Sequence, residues 1–259
     1  MGIFDFIFKR KQRRRARIIA EPFPAEWRPW VVDAVPRFAR YPDVYKKTLV
    51  DAIKVFLAEK EFRILGDLPE VDHIKVTVAA GACQLLLGIP ELDIFPRLRE
   101  VIVYPHHFTQ TTEAIGPDGR PYQISQTRAG EAWLRGPVIL AWDSVARSVA
   151  SPGDGYNVVI HEFAHVLDMQ NGAADGIPPL ASKQDDEVWL KVFFEEFRLF
   201  VADQHAGRRT LLNPYGATAP AEFFAVASEH FFEHPERLQR HHPRVFDLMR
   251  RFYRPPATR

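Results

Sequence analysis

The sequence predicts an α+β fold: a mostly helical body with a small mixed β-sheet. Three observations support this. Apolar residues recur at helical spacing in the first and last parts of the chain, and β-type runs gather in the middle. The composition, 46% hydrophobic and 26% charged over 259 residues, suits a globular body and excludes disordered, collagenous and multi-span membrane classes.

Residues 1–20 form a basic tail, in which Lys9, Arg10, Lys11, Arg13, Arg14, Arg15 and Arg17 stand against Asp5 alone. Pro22 and Pro24 separate it from residues 21–259, a single domain that opens with an N-terminal helical lobe. Residues 26–41, interrupted by proline, read as short helical pieces. Residues 44–60 place Val44, Leu49, Ile53, Phe56 and Leu57 at helical spacing, and residues 71–87 form a more buried helix ended by Gly88-Ile89-Pro90. Residues 101–104, 122–125 and 138–142 are β-type runs, with turn chemistry between them at Gly116-Pro117-Asp118-Gly119. A helix starts near Asn157 and is stopped by Asn171-Gly172. Ser182 and Asp185 resemble a capping box for the helix that carries Trp189, Val192, Phe193, Phe197 and Phe200. The loop Asn213-Pro214-Tyr215-Gly216 leads to a helix over 220–232, and residues 245–252 form the last.

The net charge of +1 hides a tail at +6 on a body at −5. Such a body gives no electrostatic footprint for nucleic acid, so a direct nucleic-acid partner is not expected. A peripheral membrane contact would have to use the tail, which otherwise reads as a frayed terminus. Gly2 to Phe8 place apolar residues before the charges, the reverse of an export signal. No run approaches the roughly 18 apolar residues of a spanning helix. Cys83 is the only cysteine, so no intrachain disulfide forms. Together these features point to the cytoplasm.

The chemistry concentrates in His161-Glu162-Phe163-Ala164-His165, the HExxH pattern. On a helix, His161 and His165 stack one turn apart and both aim a ring nitrogen at one metal, while Glu162 addresses a water beside it. The flanking Val158, Val159, Ile160, Val166 and Leu167 mark a buried helix, in which two unliganded histidines would be costly. A catalytic zinc needs a third protein ligand. Glu222 is the best candidate, an acid in the otherwise apolar run Phe223-Phe224-Ala225-Val226-Ala227; Glu229, two turns on, either competes for that role or orients a histidine. Asp168 is also placed to orient a histidine. His230-Phe231-Phe232-Glu233-His234 spells the inverted pattern HxxEH, but Pro235 ends its helix and it reads as a coincidence. His106 and His107, adjacent near a strand end, do not suit one metal; a turn or substrate-lining position fits them better.

The stretch from His161 to Met169, followed by Tyr215 and by Ala221-Glu222-Phe223-Phe224-Ala225-Val226-Ala227-Ser228-Glu229, resembles the Mlc titration factor A family of zinc metallopeptidases. That family's catalytic core is similar to the protease domain of anthrax lethal factor. The resemblance runs over most of the chain after the tail, including Val76 to Ala80 and Cys83. It implies a zincin-like body whose active-site helix carries HExxH. It also implies one Zn2+ per chain held by His161, His165 and Glu222, with Glu162 as general base and Tyr215 assisting. The activity implied is that of an aminopeptidase on short peptides: Glu162 takes a proton from the attacking water, and Tyr215 reaches toward the developing oxyanion. The segment from Gly136 to Leu140 is a candidate edge for an extended peptide. The alternative function is sequestration of an Mlc-type transcriptional repressor.

Overall fold

The computed structural model describes residues 3–89, 93–115 and 121–254. Pro90 and the turn at 116–119 lie outside them. Helices precede and follow a central sheet, as the sequence predicts. α1 (Ile3–Ala20), α2 (Trp27–Ala34), α3 (Asp43–Glu59) and α4 (Val71–Cys83) come first, with β1 (Glu61–Ile64) between α3 and α4. β2 (Glu100–Tyr104), β3 (Phe108–Ile115), β4 (Pro121–Arg128), β5 (Gly130–Ala132) and β6 (Val138–Ala141) follow. α5 (Trp142–Ala150), α6 (Val158–Asp168), α7 (Lys183–His205), α8 (Pro220–Glu233), α9 (Pro235–His241) and α10 (Pro243–Tyr253) complete the chain.

The main sheet has the order β1-β2-β6-β5. β1, β2 and β6 run parallel, in register Phe62 to Val101 and Val101 to Val138, while β5 is antiparallel to β6, with Gly130 opposite Leu140. The sheet is therefore mixed. Residues 122–125 do not join it, because β4 pairs only with β3 in a separate antiparallel hairpin. The edge expected at residues 136–140 is also corrected: β6 lies inside the sheet, and the edge beside α6 is β5. Along β5, Ala129 accepts from the Ala141 N–H (2.8 Å) and Trp133 donates to Pro137 (3.2 Å). In an antiparallel ladder alternate residues bond to the same neighbour, so the N–H and C=O of Gly130 and Ala132 project away from β6.

Val101, Val103, Val138 and Leu140 face the core. α4 is buried from Val76 to Cys83 because α6 crosses it closely; a Cβ on Gly81 would stand 2.8 Å from Val159 Cγ1. Phe163 of α6 packs between Phe56 and Phe95, at ring-centroid distances of 5.8 and 4.9 Å. A second aromatic group, Trp189, Phe193, Phe223 and Phe224, joins α7 to α8. α6 itself lies directly against α8, and these two helices carry the ionisable residues.

The basic tail is itself helical. α1 lies on α3, with Arg15 bonded to Glu59 and Asp93. Among the described residues no helix is long and apolar enough to cross a membrane.

Candidate functional site

α6 begins where the Asn157 side chain accepts the Ile160 N–H (3.1 Å), a standard N-cap. One turn later His161 and His165 share a face, with their Nε2 atoms 3.3 Å apart. α8 begins at Pro220, well suited to the first helical position, which sets Glu222 in its first turn. Glu222 Oε2 lies 3.0 Å from His161 Nε2 and 3.3 Å from His165 Nε2. The structure thus brings His161, His165 and Glu222 together, with donor atoms all within 4.8 Å of one another.

The other nitrogen of His161 decides what this cluster can hold. His161 Nδ1 lies 2.8 Å from Glu229 Oε1, and an ionised carboxylate only accepts, so Nδ1 carries the proton and donates. In the neutral ring Nε2 then presents a lone pair toward His165 Nε2 and the Glu222 carboxylate. Three acceptors converging at 3.0–3.3 Å need a proton or a cation between them. Ligands at ~2.0–2.1 Å around a tetrahedral ion would be about 3.4 Å apart, which fits these separations. Two imidazoles and a carboxylate are also the donor set of a catalytic zinc site. Glu229, left open as a competing ligand, sits on the far side of His161. Its Oε2 accepts the Asn157 N–H (2.6 Å), so one carboxylate ties the α6 cap to the histidine ring.

Charges in the cluster are strongly coupled. Burial opposes protonation of His161, yet the Glu229 and Glu222 carboxylates push it well above its ordinary value. Burial works against the Glu222 carboxylate too, but bonds from His161 and His165 hold it far below the usual range. Glu162 is not one of the three converging groups but lines the same pocket, and its burial pushes its carboxyl up. Its neighbour is the edge strand: a Cβ on Gly130 would lie 2.5 Å from Glu162 Oε1, so only glycine lets β5 approach this closely. Tyr215 lies on a single helical turn at 214–217. The Asn213 side chain accepts its N–H (3.0 Å), and Thr218 Oγ1 donates to its carbonyl (2.7 Å). Its half-exposed hydroxyl donates to Glu222 Oε1 over 3.4 Å, and its ring faces that of His161 with centroids 6.1 Å apart. A cleft of about 660 Å³ is lined by His161, Glu162 and Tyr215 together with Arg128, Gly130 and Tyr156, and a smaller one of about 170 Å³ takes in His165 and Glu222 beside the same His161, Glu162 and Tyr215.

The remaining sequence candidates lie outside the cluster. Asp168 does not orient a histidine; its Oδ2 accepts the Gly176 N–H (2.9 Å) and holds the loop after α6, and burial pushes its carboxyl up to about 6. Of the inverted pattern, His230 packs on Gly155, while Glu233 accepts from the Gly153 N–H (2.7 Å) and from Asn157 Nδ2 (2.8 Å). Both buttress the loop that leads into α6. His106 and His107 both turn toward Asp143 (3.5 and 3.3 Å), just past the end of β2. Sequence reasoning missed Asn157 as the joint between Glu229 and Glu233, and Gly130 as the contact of Glu162. Asn157 carried a signal as a capping residue; Gly130 carried none.

The family model for glucose-regulated metallo-peptidase M90 matches residues 9–254. An uncharacterised protein of Synechocystis is 36% identical over 93% of this chain and 87% of its own length. Proteins called Mlc titration factor A from Yersinia pestis and Yersinia pseudotuberculosis are 30% identical over 85% of this chain and 81% of theirs. A metallopeptidase family implies a metal ion, and the converging acceptors of His161, His165 and Glu222 suit one. The chain belongs to the glucose-regulated metallo-peptidase M90 family.

Proposed function

We propose that the chain is a zinc-dependent aminopeptidase acting on short peptides in the cytoplasm, with His161, His165 and Glu222 holding one Zn2+. The observation that carries this reading is the convergence of two imidazole nitrogens and a carboxylate beside a buried glutamate that takes no part in the cluster. When bound, zinc supplies Lewis acidity, which polarises a carbonyl and lowers the pKa of a coordinated water toward ~7. Glu162 accepts the proton of the attacking water and passes it to the leaving amine as the C–N bond breaks; its raised pKa suits both halves of that transfer. Tyr215, anchored through its backbone and half exposed, turns its hydroxyl from Glu222 to the developing oxyanion. The outward N–H and C=O groups of Gly130 and Ala132 hold the peptide as an added strand, beside Glu162. The cleft volume falls within the range of pockets that enclose small ligands, which favours short substrates.

The test is metal content and hydrolysis measured together for the wild type, Glu162→Gln and Glu222→Ala, on an amino acid amide and its N-acetylated form. Glu162→Gln should keep zinc and lose turnover; Glu222→Ala should lose most zinc. Unchanged hydrolysis in Glu162→Gln would overturn the mechanism, and equal cleavage of the acetylated substrate would overturn the aminopeptidase assignment. A second reading, sequestration of an Mlc-type repressor, is favoured by the name of the Yersinia relatives. Capture of such a repressor by the Glu162→Gln protein would separate it from catalysis.

A further inference from the structure

α1 has two sides with different partners. Toward the body, Lys11 and Arg15 pair with Asp93, and Arg15 bonds Glu59 at 2.8 and 2.6 Å. Lys54 of α3 donates to the carbonyls of Ile19 (2.6 Å) and Glu21, which secures the C-terminal end of the helix. Arg14, at the margin, donates to the Ala58 carbonyl of α3 (3.0 Å). Away from the body, Lys9, Arg10, Arg13 and Arg17 are exposed. At about 100° per residue these four fall within an arc of roughly 100°, opposite Lys11, Arg15 and Ile18, and they extend over about 12 Å of helix. No acid lies between Asp5 and Glu21. The ion pairs of Arg15 hold this row of like charges in a fixed array, where an unfolded tail would let them spread apart.

We propose that the outward face of α1 docks the protein on an anionic lipid surface. The array is complementary to negative headgroups, and the rest of the chain carries a net charge of −5, so the attraction is concentrated on α1. Lipid is favoured over nucleic acid because the same helix begins with Ile3, Phe4, Phe6, Ile7 and Phe8. Apolar residues adjoining cations are what an interfacial helix requires, whereas a phosphate backbone needs cations alone. The proposal is independent of the peptidase reading, since α1 contributes no residue to the cluster on α6 and α8.

The test is co-sedimentation of the full chain with vesicles of phosphatidylcholine containing phosphatidylglycerol, and with vesicles of phosphatidylcholine alone. Each cation near such a surface contributes roughly fivefold to partitioning, so Arg10→Glu/Arg13→Glu/Arg17→Glu should lower binding by about 100-fold or more. Arg10→Lys/Arg13→Lys/Arg17→Lys should bind like the wild type, and binding should vanish near 1 M salt, where screening acts within ~3 Å. Circular dichroism and hydrolysis of a soluble peptide check that the charge-reversed protein is folded. Equal binding to neutral vesicles, or retained binding by the folded charge-reversed protein, would overturn the proposal. So would binding of an oligonucleotide with the same charge dependence and none to vesicles, which would reassign the face to nucleic acid.

Discussion

Substituting Glu229 by Gln tests whether one carboxylate sets the direction in which His161 presents its lone pair. In the native site Glu229 accepts twice, from His161 Nδ1 at 2.8 Å and from the Asn157 N–H at 2.6 Å. A glutamine accepts at its oxygen only, so its NH2 must meet one of these two donors. Either the histidine changes tautomer and turns an N–H toward Glu222 and His165, or the Asn157 N–H at the head of α6 loses its partner. The first route weakens the metal site; loss of such an outer partner commonly costs ~10–100-fold in affinity, about 1.4–2.8 kcal/mol. The second leaves a buried donor unsatisfied, about 1–3 kcal/mol of folding stability. Zinc affinity by competition with a chromogenic chelator, and urea unfolding in the presence of excess chelator, measure the two terms separately. The expectation is a zinc Kd raised ~10–100-fold, with one zinc still bound at saturation. An unchanged Kd together with unchanged stability would refute the orienting role. Complete loss of zinc here, with zinc retained in Glu222→Ala, would make Glu229 the ligand.

Gly130→Ala places a methyl where Glu162 Oε1 would be 2.5 Å away, so β5 or the carboxylate must shift; kcat should fall by about 10–100-fold while zinc binding persists, as steady-state kinetics beside metal analysis will show. Phe163→Ala empties the space between Phe56 and Phe95 and should lower unfolding free energy by about 3–5 kcal/mol in urea titrations. Asp168 has a folded pKa of about 6 against an ordinary 3.8, so the native state holds the extra proton between these values. Its stabilising contribution is complete below pH ~4 and is lost as pH rises through ~6. The stability of Asp168→Asn relative to wild type should therefore climb by up to about 3 kcal/mol from pH 4 to pH 7, and a flat difference would count against the buried, proton-retaining carboxyl.

The helices at 43–59, 158–168 and 220–233 were legible from their apolar patterning, helped at α8 by Pro220 in the first turn and at α6 by both ends: Asn157 starts it, and Gly172 takes the left-handed conformation just beyond it. The strands were less so. β1 follows α3 after Lys60 alone and shares its mixture of charged and apolar residues. β5 is three residues long and is defined by its partner rather than by its own propensity. Trp142, grouped with the strand before it, begins α5, because an apolar run does not announce the backbone change at its end. Parallel pairing of β1, β2 and β6 joins segments far apart in the sequence, and nothing local encodes it. The order of α1 is hidden for the same reason, since Arg15 finds Glu59 and Asp93 44 and 78 positions away.

The two histidine patterns show what letters leave undecided. HExxH sets two histidines and an acid on one helix, whereas HxxEH has His230 and Glu233 on α8 and His234 just past its end; both helices are buried in part. What separates them is the partner element. α6 faces the start of α8, where Glu222 adds a third acceptor to two ring nitrogens, and the convergence leaves a place for a proton or a cation. In α8, His230 Nδ1 instead lies 3.3 Å from the Val226 carbonyl of its own helix, and Glu233 receives two N–H donors from the 153–157 loop. Donors and acceptors balance there, so no ion is needed. Glu229 belongs to both arrangements, accepting from His161 on one side and from the Asn157 backbone on the other. The inverted pattern therefore supports the metal-ready one: Glu233 holds Asn157, Asn157 caps α6 and binds Glu229, and Glu229 sets the tautomer of His161. Glu233→Gln, which puts an NH2 against the Gly153 N–H or Asn157 Nδ2, should consequently weaken zinc binding from a distance, by less than Glu229→Gln does. Equal affinity in Glu233→Gln and wild type would break this chain at its first link.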